Sequence, residues 1–393
     1  MSVAVCDGRS PRPSPGSQGR TTRGGVICAL FAALILAGCL GERQPATSAG
    51  ESDQGGPRPS VALRVLVVNE PELAEAIDRL RGEWSERTGG ELLAAAIGWK
   101  DLSAAKTLDA DVLVFPSRYL GELCLRDWLR PVRPHVLESE DLDWADIFPL
   151  IRRESIRWDG QVMALPLGVD LPRPGQPTED QPSISLLLQA ASEAVTSERL
   201  GVLFDPETMK PRITERPFID AIQRLAESSD ETLPVDSADA PPVPVLGFND
   251  RLAAVTRSSR NAASAFQLLA WLAGPEISSQ IARAGDGAMP VRRSLASSPA
   301  WYDRTLSSQE RAETAQALEA ALQQRAYLLV PRIPGVDQYM AALDDAVRAA
   351  VFAEAEPQRA LQQAAANWEQ ITAAHGRDAQ RQAYRKHLGI EEQ

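Results

Sequence analysis

The chain has 393 residues, 44% of them hydrophobic and 24% charged, with a formal net charge of −12. Those fractions are ordinary for a globular protein, and the acidity argues against nucleic acid or an anionic membrane surface as a direct partner. Neither the cysteines nor His135, His375 and His387 fall at metal-ligand spacing, so no metal or other cofactor is expected.

In chain order the first element is an apolar run, Val26–Ala37 (VICALFAALILA), preceded by Arg20 and Arg23. A basic flank, a short apolar core and a small-residue exit are the three parts of a secretory signal. At ~1.5 Å per residue the run reaches ~18 Å, short of a hydrocarbon core of ~30 Å. Its ending, Leu36-Ala37-Gly38-Cys39, resembles the lipobox of bacterial lipoproteins. That resemblance implies removal of residues 1–38 as a signal peptide and acylation of the Cys39 thiol. Cleavage there removes four arginines and one aspartate and leaves −15. It also removes Cys6 and Cys28; with Cys39 lipidated, Cys124 stands alone and no intramolecular disulfide is possible. Residues 41–60 (GERQPATSAGESDQGGPRPS) hold no aromatic and no branched aliphatic side chain. Residues 39–60 therefore read as a lipidated cysteine on a flexible tether, spanning roughly 25 Å root-mean-square.

The remainder exceeds the ~250–300 residues at which single cores stop growing, so two lobes are expected. Leu63 to Val68 (LRVLVV) reads as a buried strand, and Asn69-Glu70-Pro71 opens a helix. Leu73, Ile77, Leu80 and Trp84 carry that helix to Gly89-Gly90. Residues 91–97 and 111–115 read as further strands, giving a parallel, helix-covered sheet. Ligands of such sheets sit beyond the strands' carboxyl ends, here Asn69-Glu70, Gly98-Trp99 and Pro116-Ser117-Arg118. Trp158 to Gln161 is a turn, followed by a crossover strand over Val162 to Gly168. The four prolines of residues 171–182 mark a boundary. Beyond it the periodicity predicts helices over 183–199, 215–228, 260–273, 275–283, 308–325, 336–353 and 357–374, with short strands at 243–246 and 251–255. Asn261 is the expected cap of the third of these, and residues 384–390 (YRKHLGI) the expected glycine-stopped final helix.

Four stretches in this order resemble bacterial extracellular solute-binding proteins, the receptors of ABC importers, in the branch that often binds sugars. They are DVLVFPSRYLGELCLRDWLRPV (111–132), RWDGQVMALPLGVD (157–170), RLAAVTRSSRNAASAFQLLAWLAGPEISSQIA (251–282) and GAMPVRRS (287–294). The resemblance implies a two-lobed α/β fold, periplasmic-binding-protein-like, with a hinge and an interlobe cleft. By that pattern residues 61–168 and 250–297 form the first lobe, and 169–249 and 298–393 a second, more helical one. Only residues 171–246 lie between crossover and return, shorter than is usual in the family, so a reduced second lobe is expected. The implied partners are a small polar solute, a carbohydrate above all, and the subunits of an ABC permease. The implied state is a monomer held to the membrane by its lipid, on the extracytoplasmic side.

Six residues are candidate ligand contacts. Trp99 offers an indole face for a sugar ring, or is core; Asn69 and Glu70 can bond hydroxyls, or cap a helix. Ser117 and Arg118 share that ambiguity, with Arg118 able to fork onto a carboxylate or phosphate. Asp170 lies at the expected hinge, which passes near Pro166–Asp170 and Gly247–Arg251, as a ligand acceptor or a turn cap. Trp84, Trp271 and Trp368 fall on apolar helical faces and read as core. No nucleophile, phosphate-loop or zinc-helix motif occurs, and the chain reads as no enzyme. The alternatives are a surface hydrolase using a carboxylate pair, and a degenerate binding fold acting as a sensory or structural partner.

Overall fold

A computed structural model describes residues 61–172, 182–196, 200–227, 243–282, 284, 288–302, 306–353 and 355–390. The signal, Cys39 and the tether lie outside these residues, as does most of the proline-rich boundary.

β1 (Ala62–Val68) turns Leu63, Val65 and Val67 into the core. α1 (Pro71–Arg79) starts with proline, which has no N–H to leave unpaired, and carries Glu72 in the first turn where the helix dipole favours an acid. The single helix expected over residues 71–88 divides at Leu80, whose N–H reaches back only three residues, to Ile77 (3.0 Å). α2 (Arg81–Thr88) then ends on Gly89 in the left-handed conformation that glycine adopts without a Cβ clash. β2 (Glu91–Ile97), α3 (Trp99–Ala104) and β3 (Val112–Pro116) follow, then α4 (Leu120–Leu125) and α5 (Pro134–Leu137). A π-helical turn, Ile151–Ser155, leads into the hairpin β4 (Arg157–Trp158) and β5 (Gln161–Val162). Its turn residues Asp159 and Gly160 both have positive φ, matching the twist of a two-residue hairpin. β6 (Leu165–Gly168) is the crossover strand.

Two helices come next, α6 (Pro182–Ala194) and α7 (Arg216–Glu227), then β7 (Val245–Leu246) and the return strand β8 (Arg251–Val255). α8 (Ala262–Leu272) and α9 (Pro275–Ile281) pack beside the sheet. The chain closes with α10 (Ser308–Gln323), β9 (Leu328–Leu329), α11 (Val336–Phe352), α12 (Pro357–His375) and α13 (Arg377–His387). Asn261 precedes α8 but makes no side-chain cap. Its own N–H is held by the Ser259 hydroxyl at 3.2 Å, which donates to Asp111. α13 starts earlier than residues 384–390 suggest and ends as expected on Gly389, with Ile390 N–H bonding the Arg385 carbonyl at 2.9 Å.

The main sheet has the order β2-β1-β3-β8-β6, with β1 parallel to β2 and β3, and β8 antiparallel to β3 and β6. β3 and β8 are buried throughout, as central strands covered on both faces should be. Trp84 and Trp271 meet beside this sheet at 5.4 Å between ring centroids. β7 and β9 form a separate parallel pair, with α6 against β7 and α6, α7, α11 and α12 packed on one another. Their core is an aromatic group: Phe204 stacks on Trp368 at 4.8 Å and meets Tyr339 and Tyr384 edge-on, while Trp368 Nε1 donates to the Tyr339 carbonyl at 2.7 Å. We call these the sheet region and the helical region.

Candidate functional site at the carboxyl edge of the sheet

The parallel strands β1, β2 and β3 end on one edge of the sheet, and the six candidate residues join there through a contiguous set of contacts. Asn69, left-handed at φ 60, accepts from the Trp99 backbone N–H through Oδ1 (2.8 Å) and so ties the ends of β1 and β2 together. Trp99 opens α3 and lays its indole flat on Tyr119, with centroids 3.7 Å apart and planes 7° off parallel. That spacing leaves no room between the rings, so the Arg118 guanidinium, 4.6 Å from the Tyr119 centroid, covers the opposite face of the phenol. The same guanidinium lies 4.8 Å from the Phe248 ring. Trp99, Tyr119, Arg118 and Phe248 thus form one four-layer stack of aromatic and cationic planes.

Arg118 is also hydrogen-bonded to the Asn249 side chain and paired through Nε with Asp337 at 3.1 Å. Asp337 stands in the first turn of α11, in the helical region, and its other oxygen accepts from the Tyr119 hydroxyl at 2.9 Å. One carboxylate, 48% exposed, therefore joins the two regions across the candidate site. Burial dominates the Tyr119 hydroxyl and pushes its pKa up to about 12, so it donates at any physiological pH.

Behind the stack, Asp250 is 1% exposed and accepts from the Asp170 N–H (3.1 Å) and the Gly247 N–H (3.2 Å). It thereby clamps the crossover segment to the return segment, the two stretches expected at the hinge. Burial, opposed by those amides and reinforced by the charge of Asp170, raises its pKa to about 6. Asp170 is likewise raised, by burial first, against the Asn249 hydrogen bond and the charges of Arg118 and Arg251. Arg251 pairs with Glu70 at 2.6 Å, while its Nη2 and the buried Ser117 hydroxyl have no hydrogen-bond partner among the described residues. The Ser117 N–H, by contrast, bonds the Asp250 carbonyl at 2.8 Å.

All six candidates therefore share one edge, and Arg118, Glu70 and Asn69 are engaged by neighbouring groups. Tyr119, Phe248, Asn249, Asp250, Arg251 and Asp337 were not singled out from sequence. Phe248 to Arg251 carried a signal, since they fill the expected hinge between Gly247 and β8. Asp337 carried none: 218 residues separate it from Tyr119. The stretch Asp205-Pro206-Glu207-Thr208 is a turn, with Asp205 Oδ1 accepting from Glu207 and Thr208 amides. Cys124 is half-buried and forms no disulfide among the described residues, its thiol pushed up to about 12 by burial. Among the described residues no cluster of three or more His, Cys, Asp or Glu could hold a metal ion, and no helix is long and apolar enough to cross a membrane.

No family model matches this chain, and no curated protein matches it. Solved structures do. The fold is similar to the sugar-binding protein MalE of the phytopathogen Xanthomonas citri, with TM-score 0.58 and 15% identity over 80% of this chain and 98% of that one. It is similar to the GacH receptor of Streptomyces glaucescens, solved unliganded and with acarbose, at TM-score 0.56 and 12% identity over 85% and 100%. An ABC transporter solute-binding protein of Thermotoga lettingae, bound with alpha-D-tagatose, aligns at TM-score 0.56 and 14% identity over 79% and 100%. The chain has an α/β fold similar to that of these two-lobed solute-binding-protein structures, at 12–15% identity.

Proposed function

We propose that this protein is a membrane-tethered extracytoplasmic receptor that captures a small polar solute for an ABC importer. The observation that carries the reading is the convergence of Trp99, Tyr119, Arg118, Ser117, Asp170 and Arg251 at the carboxyl edge of the sheet, opposite Asp337 of the helical region. Stacking planes together with fixed donors and acceptors suit a hydroxylated ring, which makes carbohydrates the first class to assay. In this reading the hinge runs near 166–170 and 247–251, the lobes divide as the sequence reading has them, and Cys39 carries the lipid. The chemistry is binding only, with no bond made or broken.

The half-buried Asp170 and the buried Asp250 are the nearest thing to the carboxylates of a hydrolase. Asp250, however, is held by two backbone amides of crossing segments, which suits a clamp rather than a general acid. Against a degenerate, truncated fold stands the alignment over 98% and 100% of the Xanthomonas and Thermotoga chains. Equilibrium binding of the purified protein to a panel of sugars, polyols, uronic acids and amino acids tests the reading. Saturable one-to-one binding of at least one solute is expected; binding of none overturns it. Cys39→Ala is expected to move the protein from the membrane fraction to a soluble or unprocessed form, a large effect because multiple acyl chains anchor firmly. Unchanged partition with an intact N-terminus contradicts the anchor.

A further inference from the structure

A cavity of about 420 Å³ lies on the amino edge of the sheet, opposite the edge that holds the six candidate residues. Arg130, Arg133 and His135 line it from one segment, and Arg257, Ala263 and Phe266 from another. Strand pairing sets its place. β8 runs antiparallel to β3, so its last residue, Val255, lies beside Val112, where β3 starts. The Arg130 N–H bonds the Val255 carbonyl (2.9 Å) and the Arg257 N–H bonds that of Trp128 (2.7 Å), which joins the two segments.

The charge of this cavity runs against that of the chain. Acids outnumber bases 53 to 41 overall, yet residues 128–137 and 256–275 hold four arginines and a histidine and no Asp or Glu. Arg130 is fixed by three backbone carbonyls: Nε donates to Thr256 (3.0 Å), and Nη2 to Arg257 (2.8 Å) and Ser259 (3.2 Å). Those acceptors carry no net charge, so the guanidinium is held in position with its charge uncompensated. Arg133 is exposed, and its side chain has no hydrogen-bond or ion-pair partner among the described residues. Arg257 pairs with Asp127, which is itself 73% exposed and does not line the cavity. No carboxylate lines it at all. Cations gathered in one concavity raise the local potential and draw an anion. Phe266, 8% exposed, adds an apolar surface beside them.

Guanidinium donors fork onto carboxylate and phosphate oxygens alike. Two arginines without a carboxylate partner favour a doubly charged group, and a phosphate monoester carries roughly −1.5 to −2 at neutral pH. We propose that this cavity is a second small-molecule site, separate from the solute cleft, that takes a soluble phosphate monoester, with its phosphate at Arg130 and Arg133 and its carbon skeleton against Phe266. Its volume falls in the ~300–1,000 Å³ range of ligand pockets. The inference does not depend on the receptor reading, because none of the six residues proposed for solute binding lines the cavity.

The test titrates phenyl phosphate and benzoate into the purified protein at neutral pH and low salt, followed by calorimetry. Phenyl phosphate is expected to bind at about millimolar affinity or tighter, with the singly charged benzoate about fivefold weaker. Raising the salt to about 0.5 M should weaken both severalfold. Arg133→Glu is expected to weaken phenyl phosphate by about tenfold or more with the unfolding transition retained, since the side chain is exposed and unpartnered. Ala263→Glu, which brings a negative charge to the cavity from α8, should do the same and decides the matter if the first variant fails to fold. Trp99→Ala should bind phenyl phosphate as wild type does. No binding of phenyl phosphate, equal affinity for benzoate, or binding that survives both charge-reversing variants overturns the proposal. So does Arg133-dependent retention on phosphatidylglycerol vesicles without binding of the soluble ester, which would assign the cavity to a lipid headgroup.

Discussion

The sheet region and the helical region use buried arginine in different ways. Arg292, fully buried, donates within the sheet region to the carbonyls of Asp143 (3.0 Å), Ala273 (3.1 Å) and Leu142, with Asp146 at 3.6 Å. Arg332, buried as deeply, leaves the helical region and donates to the carbonyls of Ser155 (2.6 Å) and Arg157 (3.0 Å) beside the β4–β5 hairpin. Burial lowers its pKa to about 10, opposed by the charge of Asp250. One arginine staples loops of its own region; the other fastens one region to the next. The lesson is that the sheet region's buried arginine serves its own loops, whereas the helical region is joined to its neighbours by close packing and by polar contacts, Arg332 deep inside and Asp337 at the rim.

The largest effect is expected from cutting the deep contact. Arg332→Met should cost about 3 kcal/mol, because several charge-assisted hydrogen bonds are lost and two carbonyls are left unpaired. Denaturant unfolding measures it. Arg292→Met should destabilise by a similar amount, yet only Arg332→Met should also raise the radius of gyration in small-angle scattering. Equal scattering from the two variants breaks the comparison.

Acidity provides the next test. The folded pKa of Asp250, about 6, lies above the ~3.9 of an unfolded aspartate. The folded state therefore holds that proton more tightly, and its contribution is fully present below about pH 4 and is lost as pH rises to 6. The expected change is about 2–3 kcal/mol, with Asp170 shifting in the same direction. Asp250→Asn should flatten that part of the stability profile; an unchanged slope places the buried charge elsewhere.

Gly121 sharpens the docking argument. A Cβ there would stand 1.8 Å from the Arg332 carbonyl and 2.4 Å from the Trp158 ring, so α4 meets the helical region with no space for a methyl group. Gly121→Ala should cost about 1–3 kcal/mol through overpacking, read in the same unfolding experiment. The smallest effect on stability belongs to Asp337→Ala, within about 1 kcal/mol, since its carboxylate is half exposed. Its signature should instead be a slightly larger radius of gyration with Arg118 released.

Much of this fold was legible along the chain because its signals are local. The alternation of Leu63, Val65 and Val67 and the proline opening α1 each act within a few residues. The candidate edge was legible for the same reason, since strand ends follow from strand assignments. What escaped was long-range pairing. Tyr119 with Asp337, Arg332 with Ser155 and His387 with Arg332 unite segments whose sequence neighbourhoods say nothing of one another. Asn261 shows the converse failure, a good capping residue at the right position whose side chain makes no cap. Trp99 was recognised as an aromatic at a strand end, but nothing nearby in sequence announced that Tyr119 would cover one of its faces.

The central claim is that a polar solute binds at the carboxyl edge. Calorimetry with the best solute from the panel, on wild type, Trp99→Ala and Val202→Trp, tests it most directly. The account predicts that Trp99→Ala loses about 1–3 kcal/mol of binding, roughly 5- to 150-fold in affinity, by analogy with other aromatic stacking contacts. Val202→Trp, beside Leu329 and away from the carboxyl edge, should bind as wild type does. Undiminished affinity in a folded Trp99→Ala protein, or loss only in Val202→Trp, would place the solute elsewhere and contradict the account.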